Sequence, residues 1–252
     1  MIKKLSSEKI ANILNDPQAG FYLVDKEKDV NSFRAVSTFR KILNQQSIGF
    51  SGTLDPLASG LLILASGKAT KLLDAFHLLP KTYQAEILFG YTSDTYDLEG
   101  DLIKNKKSSE FSKVELEQAL KFFLGKSLQT VPAFSAVKVN GQKLYKLARQ
   151  KKEIDLPQKP IEIFSLKIKN FAYPKLFLEA KVSAGTYIRS LVSDLGENLK
   201  TGAVLTDLRR TAIGEFSIEK ALPLAELKQS NLKNCALDLA ETTRYLNQLL
   251  DQ

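Results

Sequence analysis

The chain has 252 residues, of which 44% are hydrophobic and 25% charged, and its formal net charge at pH 7 is +8. This length and composition predict a soluble globular protein of one or two domains. No apolar run approaches the ~18 residues of a membrane span, and the single cysteine, Cys235, excludes an internal disulfide. The N-terminus lacks the apolar core of a signal peptide, so a cytoplasmic location is expected.

The positive charge suits a polyanion such as nucleic acid, although solubility alone also explains it.

In chain order, Ser32 is expected to cap a helix that continues to Leu43. A glycine-rich loop and the apolar run 61–65 follow, and residues 83–91 alternate as a strand does. Residues 112–115 have the form of a capping box that opens a helix to about residue 123, with a glycine at 125 where a C-terminal cap is expected.

The second half begins with a basic stretch at 138–149 and a polar stretch at 150–159 that is expected to be an exposed loop. Apolar spacing predicts strands at 161–168 and 176–182, and a helix at 188–199 that stops before Gly202. Helices and strands therefore mix without a regular βαβ repeat. This pattern favours the α+β class over a doubly wound sheet.

Several chemistries are unsupported by the sequence. One histidine, His77, and one cysteine cannot form a zinc cluster, and His77 lies in an apolar stretch typical of a structural role. There is no phosphate-binding glycine motif. The acidic run 94–101 has Tyr96 and Leu98 where a calcium loop needs oxygen ligands. The sequence therefore predicts no metal and no nucleotide cofactor.

The stretch 49–60, Gly-Phe-Ser-Gly-Thr-Leu-Asp-Pro-Leu-Ala-Ser-Gly, fixes one carboxylate in a turn. Its glycines permit backbone conformations that other residues resist, and Pro56 directs Asp55 away from the α region. Such a loop is a usual place for a nucleophile or general base. From these residues alone, an Asx-turn in which Asp55 bonds only its own backbone is an equal alternative.

This stretch resembles the G-H-T-G-x-L-D-P-x-A-x-G-x-L signature of the TruB family of tRNA pseudouridine synthases. Three further segments match that family in the same order, so the likeness runs from about Gly20 to Leu224. They are Lys-Thr-Tyr at 81–83 with 90–100, Phe-Ser-Ala-Val-Lys-Val-Asn-Gly at 134–141 with 144–149, and Gly-Thr-Tyr-Ile-Arg-Ser-Leu at 185–191 with 194–196.

The resemblance implies a pseudouridine synthase fold, in which a mixed, mainly antiparallel sheet is flanked by helices. It implies isomerisation of the T-loop uridine at tRNA position 55 to pseudouridine, after the base is flipped out of the RNA. Asp55 matches the catalytic aspartate, either as nucleophile or as base. Arg189 matches the active-site arginine, Tyr83 the tyrosine that stacks on the flipped base, and Leu208 an apolar residue of the uracil pocket.

RNA contacts are expected at Phe50 and Lys26, and at Lys138, Tyr145 and Arg149 in a probable RNA-contacting insertion, 131–160. Phe50 stands where the family usually has a histidine that fills the space left by the flipped base. The segment from Lys26 to Ser32 lacks the proline, glycine and threonine of the family's K-P-x-G-x-T-S, and Val131 replaces the first proline of a usual pair.

The resemblance predicts a catalytic domain over 1–224 and a short helical tail over 225–252, too short for the full PUA domain common in bacterial members. The expected partner is the T-arm stem-loop of tRNA. The protein is expected to bind it as a monomer and not to associate with a membrane. Two alternatives remain at this point. One is a tRNA-binding or tRNA-folding module with secondary or no catalysis, and the other is a glycosidase in which Asp94 or Asp97 pairs with Asp55.

Overall fold

The computed structural model describes residues 6–150 and 155–250. Helices and strands alternate irregularly along the described residues. The α-helices are α1 (Ser7–Leu14), α2 (Ser32–Leu43), α3 (Leu73–His77), α4 (Lys113–Phe122), α5 (Leu144–Arg149), α6 (Ile188–Asn198) and α7 (Leu239–Leu250). The strands are β1 (Gly20–Lys26), β2 (Ile48–Ser51), β3 (Ala58–Ser66), β4 (Lys81–Phe89), β5 (Tyr91–Thr92), β6 (Ile103–Lys104), β7 (Gly125–Thr130), β8 (Lys138–Val139), β9 (Gln142–Lys143), β10 (Gln158–Ala172), β11 (Lys175–Val182), β12 (Ala203–Ile213), β13 (Phe216–Ser217) and β14 (Leu222–Pro223).

The described residues form two compact units. The first unit combines the residues up to Lys81 with those from Arg209 onward, and the second is the continuous segment Thr82–Leu208. The chain passes from the second unit back into the first inside β12, so this strand contributes residues to both. The C-terminal tail, with α7, belongs to the first unit.

In the first unit the strand order is β14-β1-β3-β12, with β2 also paired to β3 and β13 to β12. Strands β1 and β3 are antiparallel, so that Lys26 lies opposite Gly60. Strand β2 is also antiparallel to β3 and leads directly into the loop that carries Asp55. One face of this sheet is covered by a core that includes Ile10 of α1, Phe76 of α3 and Leu246 of α7.

In the second unit the order is β12-β4-β11-β10-β7. Strands β10 and β11 form a long antiparallel hairpin, and β7 pairs antiparallel with the start of β10. Helix α6 packs against β7 and α4. The small hairpins β5–β6 and β8–β9 stand apart from this order. The mixture of helices with mainly antiparallel strands confirms the predicted α+β class.

Most of the predicted elements are confirmed, because their signals are local. Helix α4 begins at the predicted capping box, in which Ser112 Oγ accepts from the backbone of Glu115 and the Glu115 carboxylate accepts from the backbone of Ser112. Strands β10 and β11 cover their predicted ranges, whereas β4 ends at Phe89, before the predicted residue 91, and α6 ends at Asn198, one residue before the predicted end. The C-terminal cap expected at Gly125 is not found there: Phe123 is the C-cap of α4, and Gly125, with φ +91°, is the first residue of β7.

One cap prediction is wrong. Helix α2 is capped by Asn31, whose side chain accepts from the backbone N–H of Phe33 at 2.9 Å. Ser32 is buried, and its hydroxyl bonds the main chain of Leu54 instead. The sequence contains both polar residues side by side, and only the distant contact decides which of them caps the helix.

Part of the expected exposed loop at 150–159 lies outside the described residues, at 151–154, as do residues 1–5 of the N-terminus examined for a signal peptide. The last two residues of the stretch begin β10. None of the helices found in residues 6–150 and 155–250 has the length and apolarity needed to cross a bilayer.

The thiol of Cys235 is expected to be unreactive in the native protein. It is 2% exposed and donates to the Leu232 carbonyl at 3.3 Å, and burial raises its pKa to about 11. Because the thiolate is the nucleophile, iodoacetamide at pH 8 should alkylate Cys235 only after the protein is unfolded in guanidinium. Mass spectrometry of native and unfolded samples measures this, and rapid alkylation of the folded protein would contradict the buried position.

Candidate active site

The loop that carries Asp55 connects β2 to β3 in the first unit, and it is held by glycines that accept no side chain. Gly60 has φ +111°, and a Cβ built there would lie 2.3 Å from the carbonyl oxygen of Arg210. Gly52 has φ +74°, in the left-handed region. Both ends of the loop therefore require glycine, for conformation at Gly52 and for conformation and close approach at Gly60.

Two buried side chains hold the middle of this loop. The hydroxyl of Ser32 donates to the Leu54 carbonyl at 3.0 Å and accepts from the Leu54 N–H at 3.1 Å. The ammonium of Lys26 donates to the Pro56 carbonyl at 3.4 Å, which also accepts from the Asp29 N–H at 2.8 Å. The residues immediately before and after Asp55 are thus fixed through their main chains.

Two arginines hold the ends of the loop. Arg210 is 1% exposed, and its guanidinium donates to the carbonyls of Leu61 at 2.8 Å and Gly52 at 2.9 Å. Arg209 forms a bidentate pair with Asp25 and also reaches Ser59 Oγ at 3.3 Å. Rigid placement of one carboxylate is the property that a nucleophile or base requires.

Asp55 itself is half-buried within the first unit. Its main-chain carbonyl accepts from the Ala58 N–H at 3.1 Å, which closes the turn before β3. Because the backbone on both sides is held by hydrogen bonds to buried groups, the Cα–Cβ direction of Asp55 is fixed before any substrate arrives.

The prediction that Lys26 contacts RNA is corrected by its burial. Its side chain is 0% exposed, and its ammonium donates to the carbonyls of Glu27 at 2.9 Å and Val30 at 2.7 Å as well as to Pro56. Burial lowers the pKa of Lys26 to about 8, against partial compensation from Glu27. Lys26 is therefore a positioning residue for the Asp55 loop.

Two residues of this segment that depart from the family motif have the same structural roles as the residues they replace. The motif K-P-x-G-x-T-S, started at Lys26, places its glycine at Asp29 and its threonine at Asn31. Asp29 has φ +61°, a conformation that aspartate tolerates better than most residues. Asn31 caps α2 as a threonine can. Aspartate and asparagine thus preserve the turn and the cap.

Replacing Lys26 with methionine is expected to destabilise the protein. Methionine fills similar space but leaves the Glu27 and Val30 carbonyls without this donor, at a cost of about 1–3 kcal/mol for each buried acceptor left unpaired. Relief of the buried charge offsets part of this cost. We expect the melting temperature to fall by about 5 °C or more, with a smaller change for Lys233→Met, which alters an exposed lysine of the same unit.

The same variant has a pH dependence with a defined sign. Between its folded pKa of about 8 and the ordinary lysine pKa of 10.5, Lys26 binds more protons in the unfolded chain than in the folded one. The stability that Lys26 contributes therefore rises with pH over this window. The difference in melting temperature between wild type and Lys26→Met should widen from pH 7.5 to pH 9.5, and a difference that narrows would contradict the lowered pKa.

Phe50 lies on β2, half-buried, four residues before Leu54. Its ring meets that of Phe33 edge to face, with centroids 5.4 Å apart and an interplanar angle of 86°. Phe33 is 67% exposed. The two rings form an aromatic pair at the surface of the first unit, so Phe50 stays a candidate RNA contact.

In the second unit, Arg189 is the second residue of α6 and is 5% exposed. Its guanidinium donates to the carbonyls of Thr95 at 2.9 Å and Phe134 at 3.0 Å, and its Nε lies 3.5 Å from the Asp97 carboxylate. Two separate loops and a buried acid thus fix the plane of this guanidinium.

The start of α6 is itself fixed by a buried glutamine of β7. Gln129 accepts from the Tyr187 N–H at 2.8 Å and donates to the Tyr187 carbonyl at 3.0 Å. Ser190 adds a bond to the Thr130 carbonyl at 3.1 Å. These contacts place the helix turn that carries Arg189.

Asp97 is 1% exposed and has structural partners for its carboxylate. Oδ1 accepts from the Thr95 hydroxyl and from the Glu99 N–H at 3.0 Å, and Oδ2 faces Arg189. A glycosidase acid or base must instead reach the sugar or its water. Asp97 is thereby a positioning residue for Arg189, and the glycosidase alternative loses one of its two candidate carboxylates.

Tyr83 and Leu208 also belong to the second unit. Tyr83 is half-buried in β4, and Leu208 is 7% exposed in β12, where the unit ends. The burial of Tyr83 is consistent with a ring that has one accessible face, and that of Leu208 with an apolar wall of a pocket. Ordinary packing of strand residues explains the same burial equally well.

The predicted RNA contacts of the 131–160 segment, Lys138, Tyr145 and Arg149, lie on the β8–β9 hairpin and α5. Lys138 and Arg149 are exposed, and the half-buried Tyr145 ring has Lys143 Nζ at 5.7 Å and Arg149 Cζ at 5.6 Å from its centroid. Two cations thus flank one aromatic ring at this surface of the second unit.

Comparison with known proteins decides the family. Residues 40–188 match the family model described as TruB family pseudouridylate synthase (N terminal domain), and residues 189–251 match the tRNA pseudouridylate synthase B C-terminal domain. The chain belongs to the TruB family. Among its TruB relatives, the tRNA pseudouridine synthase B of Fusobacterium nucleatum is 42% identical over 79% of this chain and 69% of its own length. That of Mycoplasmopsis pulmonis is 38% identical over 92% of this chain and 84% of its own length.

Solved structures share the fold of this TruB family member. A chain of a Cbf5-Nop10-Gar1 complex superposes with a TM-score of 0.68 at 24% identity, covering 92% of this chain and 64% of that chain. A chain of the archaeal box H/ACA sRNP Nop10-Cbf5 complex gives a TM-score of 0.66 at 22% identity, with 90% of this chain and 61% of that chain covered. At these identities the likeness establishes the pseudouridine synthase fold.

Sequence reasoning missed the residues that support the TruB signature loop and Arg189. Arg210 and Ser32 hold the loop, and Asp97 and Gln129 hold Arg189 and its helix. Two of these carried a signal: Asp97 lies in a segment that matches the family, and Arg210 directly follows the Leu208-Arg209 pair. The position of Ser32 at the start of a helix indicates only a local role, so its bonds to Leu54 carry no sequence signal.

Proposed function

We propose that this protein isomerises the T-loop uridine at position 55 of tRNA to pseudouridine, with Asp55 as the catalytic carboxylate. Family membership makes it a tRNA pseudouridine synthase, an isomerase. The observation that carries the assignment of Asp55 is its loop, in which buried side chains hold the main chain before and after this one residue. A rigid carboxylate of this kind serves catalysis and has no evident purpose in a module that only binds RNA.

The reaction rearranges bonds within one nucleotide. The bond from C1′ to N1 of uracil breaks, the base turns, and C1′ joins C5, while C5 loses a proton and N1 gains one. Asp55 acts either by attack on the sugar or the base, or by removing a proton from the sugar. Tyr83 supports the flipped base by stacking, Leu208 contributes an apolar wall, and Arg189 supplies the cation that keeps the reacting groups oriented.

The RNA is held mainly through phosphates, which supply most of the affinity. Lys138, Tyr145 and Arg149 in the 131–160 segment are suited to this role by their exposure and by the cations beside the Tyr145 ring. We assign the T-arm as the bound element, a monomer as the active form and the cytoplasm as the location.

Tritium release tests the proposed function directly. A T-arm stem-loop carrying uridine tritiated at C5 should release one equivalent of tritium when the wild-type protein converts the target. The same stem-loop with cytidine at the target and tritiated uridines elsewhere should release none. Absence of release from the first RNA, or equal release from both, would refute the assignment.

Activity is expected to survive removal of metal ions. The isomerisation is redox-neutral and internally balanced, and Asp55, Tyr83 and Arg189 act without a cofactor in the proposed scheme. Dialysis against EDTA should therefore leave the tritium-release rate on a pre-folded stem-loop nearly unchanged. Loss of activity that a single added divalent ion restores, on RNA shown to stay folded, would contradict this.

A further inference from the structure

One turn of the second unit has an unusual backbone conformation. Among the described residues, those other than glycine that have a positive φ are Asp29, Asn44, Tyr96, Asn140 and Lys200. Aspartate and asparagine tolerate this left-handed conformation, and Lys200 follows the C-cap of α6, where a helix commonly ends in it. Tyr96, with φ +64°, is a bulky aromatic residue for which the conformation is strained.

This strained residue lies between two residues that hold the active-site arginine. The Thr95 carbonyl accepts from Arg189 Nη1 at 2.9 Å, and the Asp97 carboxylate lies 3.5 Å from Arg189 Nε. A left-handed residue turns the chain sharply, and here the groups before and after Tyr96 converge on one guanidinium. Strained backbone of this kind persists only where surrounding contacts maintain it, and it is concentrated at functional sites.

Hydrogen bonds fix the main chain on both sides of Tyr96. Its N–H donates to the Ser93 carbonyl at 3.2 Å, and its carbonyl accepts from the Leu205 N–H at 3.0 Å. The Ser93 hydroxyl also donates to the Asp97 carbonyl at 2.7 Å. The turn is therefore closed on itself and tied to β12.

The side chain of Tyr96 is half-buried beside α6. Burial raises the pKa of its hydroxyl, and the carboxylates of Asp194 and Glu197 on α6 raise it further. A glycine would adopt the same backbone without strain, so the main-chain bonds alone do not account for a tyrosine here. Burial of the ring offsets the strain, because a turn that left the left-handed conformation would carry the ring away from α6.

We propose that Tyr96 is a positioning residue for Arg189. Its ring, lying beside α6, maintains the left-handed turn that directs the Thr95 carbonyl and the Asp97 carboxylate at the guanidinium. The inference rests on the proposed function, because it takes the orientation of Arg189 to govern turnover. It adds Tyr96 to the residues on which the isomerisation depends.

Replacement of Tyr96 by glycine and by alanine tests the role of the backbone conformation. Both variants lack the ring, but only glycine adopts a left-handed φ without a steric penalty. We expect Tyr96→Ala to lower single-turnover tritium release by about fivefold or more, because its turn relaxes. Tyr96→Gly should lower release by about twofold or less, and Tyr96→Phe, which keeps the ring, should match the wild type.

Two further measurements show whether the effect acts through Arg189. Stem-loop affinity, measured by fluorescence anisotropy, should be the same for the glycine and alanine variants, because phosphate contacts supply most of it. The side-chain Nε–H signal of Arg189 in heteronuclear NMR spectra is assigned by its loss in Arg189→Lys. This signal should keep its wild-type position in Tyr96→Gly and move in Tyr96→Ala.

Lys200 is the matched control, since it has φ +58° in the same unit and lies outside the turn. Lys200→Gly and Lys200→Ala should both release tritium at the wild-type rate. Melting curves establish that each variant is folded. If Tyr96→Ala melts below the assay temperature, Tyr96→Asn and Tyr96→Ser make the same comparison, because asparagine tolerates the left-handed conformation better than serine does.

Equal turnover by the glycine and alanine variants would overturn the role of Tyr96, and so would an Arg189 signal that stays in place in Tyr96→Ala. A loss of affinity that accounts for the lost turnover would also overturn it. Each of these results leaves the proposed function standing as long as the wild type releases tritium. No release by the wild type refutes the proposed function, and the NMR comparison then still decides whether Tyr96 orients Arg189.

Discussion

Substitution of Asp55 by asparagine is expected to lower turnover at least about 10³-fold while leaving stem-loop affinity nearly unchanged. Asparagine keeps the size of the side chain and can keep the turn, but it supplies neither a nucleophilic carboxylate nor a base. Binding persists because most affinity comes from phosphate contacts elsewhere. Single-turnover tritium release measures the first effect, and anisotropy measures the second.

The matched control is Asp101→Asn, which makes the same chemical change at an exposed position of the second unit. It should release tritium at the wild-type rate. Near-normal turnover by Asp55→Asn, with identity checked by mass spectrometry, would remove Asp55 from the chemistry and return its loop to a structural role.

Replacement of Arg189 by lysine is the second change with a large expected effect, a loss of about 10²-fold or more in turnover. The guanidinium of Arg189 binds the Thr95 and Phe134 carbonyls with two different nitrogens while its Nε faces Asp97. A single ammonium cannot reproduce that planar arrangement. The Asp97 carboxylate would then face a charge in the wrong place within a buried setting.

Separate measurements of turnover, binding and secondary structure distinguish damage to the fold from loss of orientation of the reacting groups. We expect the catalytic constant to fall while stem-loop affinity and far-ultraviolet circular dichroism stay close to wild type. Arg244→Lys, at an exposed position of α7, should change neither. An unchanged catalytic constant for Arg189→Lys would exclude Arg189 from the catalytic site.

The elements of this fold that follow from local sequence were predictable. The capping box of α4 needs only residues three positions apart, and β11 alternates plainly. The irregular mixture of predicted helices and strands indicated the α+β class, and the family resemblance then supplied the pseudouridine synthase fold and the principal candidate residues. Contacts between residues far apart in sequence could not be predicted, because a single sequence does not show which distant residues meet in the fold.

Lys26 and Ser32 illustrate that limit. Lysine is rarely buried, so a solvent-facing RNA contact was the natural expectation for Lys26. Its ammonium is buried against the carbonyls of Glu27, Val30 and Pro56, and Pro56 lies 30 residues along the chain, which no local pattern reveals. Ser32 is a good helix cap by type, but its hydroxyl meets Leu54, 22 residues along the chain. In both cases a distant backbone group determined the role.

The division of the chain has a consequence for biosynthesis. The second unit is one continuous segment, Thr82–Leu208, whereas the first needs both ends of the chain. During translation the second unit can fold as soon as it leaves the ribosome. The first must wait, because Arg210, which holds the Gly52 and Leu61 carbonyls, is made about 150 residues after the loop it supports. Until then β3 lacks its neighbour β12 and β1 lacks its neighbour β14, and these strand edges are open to other chains. The newly made Asp55 loop has its contacts with Lys26 and Ser32 but lacks those with Arg209 and Arg210 for most of synthesis, and it is complete only when the C-terminal segment arrives.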